Sequence, residues 1–427
     1  MIAQYQSINP STSDVNDMNT NQNQAMQQKP FPALWVLILG VMIAIGPLAI
    51  DMYLPALPTM AEDFGVSTTS LARSVPAYFI GLVFGQLFYG PFSDRIGRVK
   101  PMYIGMVIFI IASVICAMTK NEWILFAART MQAVGACVTS VVARASVRDV
   151  LDPIQSARAF SLMVLVMGVA PILAPTLGTV ILQAADWHAL FWFLAAYGVF
   201  IIILTKFFLK ETLLPANRNT RPMRETLVGY LDLLKDKTFV IPAMAAGLLQ
   251  GAFFIYLSIS SVLFMENYGL LEKEFAIAFG INAFGFVALT QVNQWLLKKI
   301  PLITLLRFGA FLQVFSATCL LVLGSVFGGQ ANFMLVSVAI FCCIAGLGFT
   351  QPNATAIALA FQKKRAGMAS AMQGAMQFSV GIFGGLLLSF FDADPVTKLG
   401  ITTFVLTAIG AYLICQLDKN IRLSDID

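Results

Sequence analysis

Charge is what this sequence lacks most. Of 427 residues only 11% are Asp, Glu, Lys or Arg, against about 25% in soluble chains. A soluble chain of this length would form two or three domains, each with a polar skin, and there is too little charge here to make one. A soluble enzyme, a nucleic-acid binder and a disordered protein are therefore excluded. Histidine is nearly absent, with His188 alone, and the six cysteines (Cys116, Cys137, Cys319, Cys342, Cys343 and Cys415) all lie in apolar runs without CxxC spacing. Neither a disulfide framework nor a metal site follows from them, and no cofactor is expected. No Walker-type phosphate loop occurs, so ATP is not the local energy source. The net charge of +5 would point to anionic partners in a soluble protein. Here the basic residues sit in short loops and report topology first.

What the sequence has is apolar surface: 58% hydrophobic residues, with 35 Phe and 19 Met. A membrane helix needs about 20 mostly apolar residues. Twelve such runs occur, near 32–58, 71–92, 101–119, 121–143, 158–183, 187–208, 239–265, 274–297, 303–328, 332–360, 366–391 and 396–417. The expected class is an all-α integral membrane protein. Residues 1–30 are rich in Asn, Gln, Ser and Thr, with neither a basic n-region nor a short apolar core. They read as a disordered tail and not as a signal peptide.

Basic residues in loops set orientation. One set of alternate loops carries only Lys120, Lys273 and Lys398. Arg73 sits at a span edge and Arg129 inside a span, and all the rest of the 27 Lys and Arg fall in the other set. That asymmetry predicts both termini in the cytoplasm of an inner (plasma) membrane. The longest connection, 209–238, holds the densest positive charge and separates two six-helix halves, 31–208 and 239–418, with a short C-terminal tail at 419–427. Within the connection, residues 225–237 (ETLVGYLDLLKDK) have helical spacing of Leu and Val between charges, the pattern of a helix lying on the membrane surface.

The loop after span two reads Gly90-Pro91-Phe92-Ser93-Asp94-Arg95-Ile96-Gly97-Arg98-Val99-Lys100. Glycines permit a tight turn, and Arg95 and Arg98 are placed to grip carboxylates or helix C-termini. An ordinary positive-inside loop would supply the charge but not this residue order. The order resembles the signature of the major facilitator superfamily, whose layout is also six plus six helices about a basic linker. The resemblance implies a cytoplasmic latch, formed by Gly90, Asp94, Arg95, Gly97 and Arg98, that holds the halves together in the outward-open state. Val99 replaces the usual second base. The corresponding loop of the second half, 295–301 (WLLKKIP), keeps only two lysines.

Asp51 lies in span one, in 49–58 (AIDMYLPALP). A carboxylate in so apolar a run is expensive and points to function. Leaving water favours the protonated form of such a group, and proton coupling needs a carboxyl that is loaded on one side and unloaded on the other. The competing reading ends the helix near Leu54 and leaves Asp51 at the interface. Apolar character resumes through Leu57, which favours a helix continuing to about Met60 with Asp51 two turns inside.

Span four contains Arg129 and, three residues on and on the same face, Gln132. A buried guanidinium must meet a cavity or a partner, unless it snorkels to the surface. The string resembles the superfamily's span-four motif, Arg-x-x-Gln-Gly-x-Gly, with Ala133 in place of the first Gly. That implies tuning of a proton-carrying acid, for which Asp51 leads, directly or through water. In span five, Gly168, Pro171, Pro175 and Gly178 fit kinked close packing. Their spacing also resembles the mark of exporters within the superfamily.

Four strings, 51–58 (DMYLPALP), 268–275 (YGLLEKEF), 352–359 (PNATAIAL) and 366–378 (AGMASAMQGAMQF), resemble the bicyclomycin/chloramphenicol-resistance (Bcr/CflA) group of drug:proton antiporters. The resemblance covers nearly the whole chain after the tail and is silent on substrate. Tyr53, Gln132, Gln250, Tyr256, Ser260, Asn282 and Asn353 are candidates to line a central cavity, although buried amides and hydroxyls also serve as interhelical bonds.

The expectation is a twelve-helix transporter that exports small amphipathic organic compounds in exchange for protons. Its partners are a small-molecule substrate, protons and the lipid bilayer, with no nucleic acid, and its expected state is monomeric. Rival readings are a dedicated exporter of an endogenous metabolite, an uptake symporter, and a sensor that kept the fold.

Overall fold

The computed structural model describes residues 32–218, 223–362 and 365–417. The two tails, and Arg221, Lys363 and Lys364 of the basic loops, lie outside the described residues. Among those described there is no strand. Twelve helices are long and apolar enough to cross a bilayer. Spans one to six are Ala33–Phe64, Thr68–Ile96, Val99–Met118, Glu122–Val150, Arg158–Ala184 and His188–Phe208. Spans seven to twelve are Lys237–Asn267, Glu272–Leu296, Leu302–Gln330, Phe333–Ala360, Ala366–Phe390 and Pro395–Cys415. Each of the twelve expected apolar runs falls on one of them.

Short polar side chains start several of the helices. Asn121 accepts from the N–H groups of Trp123 and Ile124. Asp152 accepts from that of Gln155, and Asp394 from those of Val396 and Thr397. Each satisfies donors that the first turn leaves orphaned. Span four runs about two turns past its expected end near residue 143, to Val150, because charge ends an apolar run but not a backbone ladder. Arg144 and Arg148 therefore sit on one face, four residues apart.

Span one is broken where a continuous helix was expected. A helix ends at Asp51, a 3-10 turn covers Leu54–Ala56, and a second helix runs Leu57–Phe64. Pro55 explains the break: it has no N–H for the carbonyl of Asp51, four residues back, and its ring crowds that carbonyl. Pro58 cannot donate to the Leu54 carbonyl, which accepts instead from the Leu57 N–H of the 3-10 turn and from Ser261 of span seven at 2.7 Å, a bond between the two halves.

The halves meet along two helix pairs. Span eleven presents Gly374, Gly381 and Gly385 to Gln86, Phe79 and Pro76 of span two, with no room for a larger residue at Gly381 or Gly385. Span five meets span eight, where Gly168 abuts Val287. Small residues let helix backbones approach closely in lipid. At the end away from the basic loops, Ser261–Leu54 and a 3.4 Å bond from Thr179 Oγ1 to the Glu272 carbonyl close the interface. At the basic end the halves part around a cavity of about 370 Å3.

The linker carries a helix, Met223–Lys235. Leu227, Val228, Leu231 and Leu234 are exposed, whereas Tyr230 and Leu233 are buried against the bundle. Tyr230 donates its hydroxyl to the Leu87 carbonyl at 3.3 Å, the acceptor that Pro91 leaves free four residues on.

Candidate functional site

Arg129 has no exposed surface at all, yet among the described residues it makes no ion pair. Its Nη1 donates to the Ala49 carbonyl at 2.8 Å and to Gln132 Oε1 at 2.6 Å. The guanidinium carbon lies 4.2 Å from the ring centre of Tyr53 and 4.4 Å from that of Tyr78. Two aromatic rings thus provide the cation with favourable electrostatics without a counter-charge. The Tyr53 hydroxyl is fixed by Ser74 Oγ at 2.9 Å. Gln132 is fixed in turn by Nε2 donating to Ser113 Oγ at 2.8 Å, and Ser113 donates to the Phe109 carbonyl at 2.7 Å. A relay of neutral groups across spans one to four therefore sets the position of Arg129.

Asp51 lies two residues beyond the carbonyl that Arg129 holds, at the last residue before the span-one break. It is 3% exposed. Among the described residues its Oδ1 has no hydrogen-bond partner, and neither have Arg129 Nε, Arg129 Nη2 and the Tyr78 hydroxyl. Orphaned polar atoms in a buried site are costly, and four lie in this neighbourhood. Gly178 closes it from behind: a side chain there would strike the Met52 carbonyl, one residue past Asp51. The structure thus brings together Asp51, Tyr53, Arg129, Gln132 and Gly178. Of the remaining span-five residues, Pro175 is buried, Pro171 is half-buried and Gly168 is at the span-eight contact.

Tyr256 and Asn353 lie in the other half. The Tyr256 hydroxyl accepts from Asn282 Nδ2 at 3.0 Å, and its ring stacks on Phe279. Asn353 pairs with Asn293 of span eight at 2.8 Å. Neither lines the open cavity. Gln250 Oε1 is buried without a partner, and Ser260 bonds within its own helix.

The loop 90–100 ties its own half together. Arg98, 4% exposed, donates from Nη1 to Asp94 at 2.6 Å and from Nε to Asp149, at the end of span four, at 2.8 Å. Gly97 has φ of 98°, a conformation that glycine adopts without strain. It also abuts the Glu211 carboxylate, which accepts from the Arg98 N–H at 2.8 Å. Spans two, four and six are clamped at the basic end. Gly90 and Asp94 border the cavity, and Arg95 is half-buried in the same turn.

Sequence reasoning missed Tyr78, Ser113, Asp149 and Glu211. A lone tyrosine or serine in an apolar span carries no signal. Asp149 follows Arg148 and Glu211 follows Lys210, but other acids share the basic side with them, so neither is singled out by the sequence.

The comparisons with known proteins agree with this architecture. Residues 39–385 match the family described as Major Facilitator Superfamily. The chain is 32% identical over 384 residues to an uncharacterized MFS-type transporter, YdgK, of Bacillus subtilis, covering 90% of this chain and 94% of that protein. It is 26% identical to the bicyclomycin resistance protein homolog of Haemophilus influenzae, covering 91% and 97%. It is 29% identical to the multidrug resistance protein MdtL of Klebsiella pneumoniae, covering 79% and 83%. Among solved structures, a bacterial homolog of the human lysosomal transporter Spinster, in an inward-facing and occupied conformation, superposes with a TM-score of 0.71 at 14% identity. That superposition covers 94% of this chain and 99% of the other.

Proposed function

Because the chain belongs to the major facilitator superfamily, whose members are transporters and not enzymes, we propose that it exports small amphipathic organic compounds in exchange for protons. It is a multi-pass inner-membrane protein that carries small molecules. Its relatives named for bicyclomycin and multidrug resistance, with the strings that resemble the Bcr/CflA group, support the efflux reading. The excess of Lys and Arg supports the proposed orientation, with both termini and the basic end in the cytoplasm. On that orientation the structure is open to the cytoplasm and closed outside, one of the two states that alternating access requires.

The observation that carries proton exchange is an unpartnered, buried Asp51 beside an arginine whose contacts are all neutral. A carboxylate locked in an ion pair would be held in one charge state. Asp51 has no such lock, so its proton is free to leave, with the Arg129 charge close by. The break after Asp51 lets the outer part of span one move relative to the inner part. Ser261–Leu54 and Thr179–Glu272 are the bonds that must open for release outside. The Arg98 clamp keeps spans two, four and six together as the basic end opens and closes, and in the closed state its loop meets the second half as the latch. We take the working unit to be a monomer.

Internal pH in sealed proteoliposomes with an imposed proton gradient tests this. A compound panel should trigger proton movement through the wild-type protein but not through Asp51→Asn, with both folded alike. Full proton movement in Asp51→Asn would remove Asp51 from the mechanism.

A further inference from the structure

The cavity at the basic end is unbalanced in charge. Three charged side chains line it: Asp94, Arg144 and Arg148. Asp94 is already committed to Arg98 at 2.6 Å. Arg144 donates Nε to the Ser140 carbonyl of its own helix at 3.0 Å, and neither Arg144 nor Arg148 has a carboxylate within 4.0 Å among the described residues. Arg98, one turn away from the cavity wall, has two. Pairing was thus available at this end of the bundle and was not used for these two arginines.

The rest of the wall is rich in donors. Arg148 reaches across the gap to within 3.9 Å of the position a Cβ would take at Gly367, in the first turn of span eleven. That turn has no side-chain cap and no acidic residue. Gln86 and Ser370 add an amide and a hydroxyl, and Met368 and Phe160 supply apolar surface. The carboxylate in the lining, Asp94, is bonded to Arg98. A guanidinium offers several N–H donors in a planar fork that suits carboxylates and phosphates, and two of them four residues apart on one helix make a grip for a single anionic group.

We infer that this cavity selects its cargo by negative charge: the substrates are amphipathic anions whose carboxylate, sulfonate or phosphate is held between Arg144 and Arg148, with the apolar body on Met368 and Phe160. This rests on the efflux reading and narrows it to a substrate class. The grip lies far from the proton site. Arg144 is fifteen residues beyond Arg129 on one continuous helix, roughly 22 Å at 1.5 Å per residue. The anion and the proton therefore do not compete for the same atoms while this end is open.

The test is binding to the full-length protein in nanodiscs of zwitterionic phosphatidylcholine, so that no anionic headgroup competes. The probes are three matched compounds: 1-naphthaleneacetate, its neutral amide, and 2-(1-naphthyl)ethylammonium. The account predicts that wild type binds the carboxylate about tenfold or more tighter than the amide, one charge-assisted hydrogen bond being worth that much, and the ammonium weakest. It predicts that Arg144→Gln with Arg148→Gln removes the preference for the carboxylate over the amide, and that added salt weakens only the carboxylate. Equal affinity for all three, a preference for the ammonium, or no carboxylate binding would overturn the inference in wild type alone, whether or not the double variant folds. Binding needs no gradient, so these results are independent of the Asp51→Asn experiment.

Discussion

Two arginines of the first half are almost wholly withdrawn from solvent, and they are held in opposite ways. Arg98 contacts Asp94 and Asp149 at 2.6 and 2.8 Å. Arg129 contacts a carbonyl, an amide oxygen and two tyrosine rings, and no carboxylate. A buried ion pair is a fixed arrangement, and breaking it by removing one partner costs several kcal/mol. A cation held by dipoles and π faces does not claim a neighbouring acid for itself. Where Arg98 joins three helix ends into one body, Arg129 keeps a charge near Asp51 without fixing the charge of Asp51. The same residue type serves as clamp in one place and as electrostatic neighbour in the other, and partner identity decides which.

The sharpest way to break this contrast is to exchange the consequences. Arg129→Ala should abolish coupled transport, a loss of at least about a hundredfold in gradient-driven flux, because the contact charge disappears from the site. Arg98→Ala should instead act on stability. It leaves Asp149 without its partner in a largely buried place, and a loss of about 2 kcal/mol is expected, less than for a fully buried pair because Asp94 is half exposed. Thermal unfolding in detergent should register this as a lower midpoint, with residual transport proportional to folded protein. If Arg98→Ala abolished coupling at full stability, the clamp reading would fail.

Tyr78 sharpens the contrast from the other side. Tyr78→Phe keeps the ring over Arg129 and should retain most transport, whereas Tyr78→Leu removes the π face and should cost about 1–2 kcal/mol of positioning. Side-by-side flux assays check this, and equal loss in both would assign the role to the hydroxyl. The smallest expected effect is in the second half. Asn353→Ala leaves Asn293 short of a partner and should lower stability by about 1 kcal/mol without changing the pH dependence of transport.

The fold was largely legible because lipid demands it: a span must hydrogen-bond internally and face apolar surroundings, and twelve runs long enough to do so are visible in the residues. The ends were less legible, since apolar runs stop at Arg144 while the helix carries on to Val150. Asp51 and Arg129 stood out as charges inside apolar runs. The break beside Asp51 did not, although Pro55 was in view, because apolarity on both sides of a proline reads the same for a kinked and an interrupted helix. Tyr78 was beyond reach, as its role depends on the crossing of spans two and four. At that crossing Gly81 lies against the Thr130 carbonyl, where no side chain fits.

The most direct test of the central claim is infrared difference spectroscopy of the purified protein as pH is changed, comparing wild type with Asp51→Asn. The account predicts a protonated-carboxyl band in the wild type that appears and disappears reversibly with pH and is missing from the variant. Identical difference spectra for the two proteins would show that Asp51 does not exchange a proton, and would contradict the account.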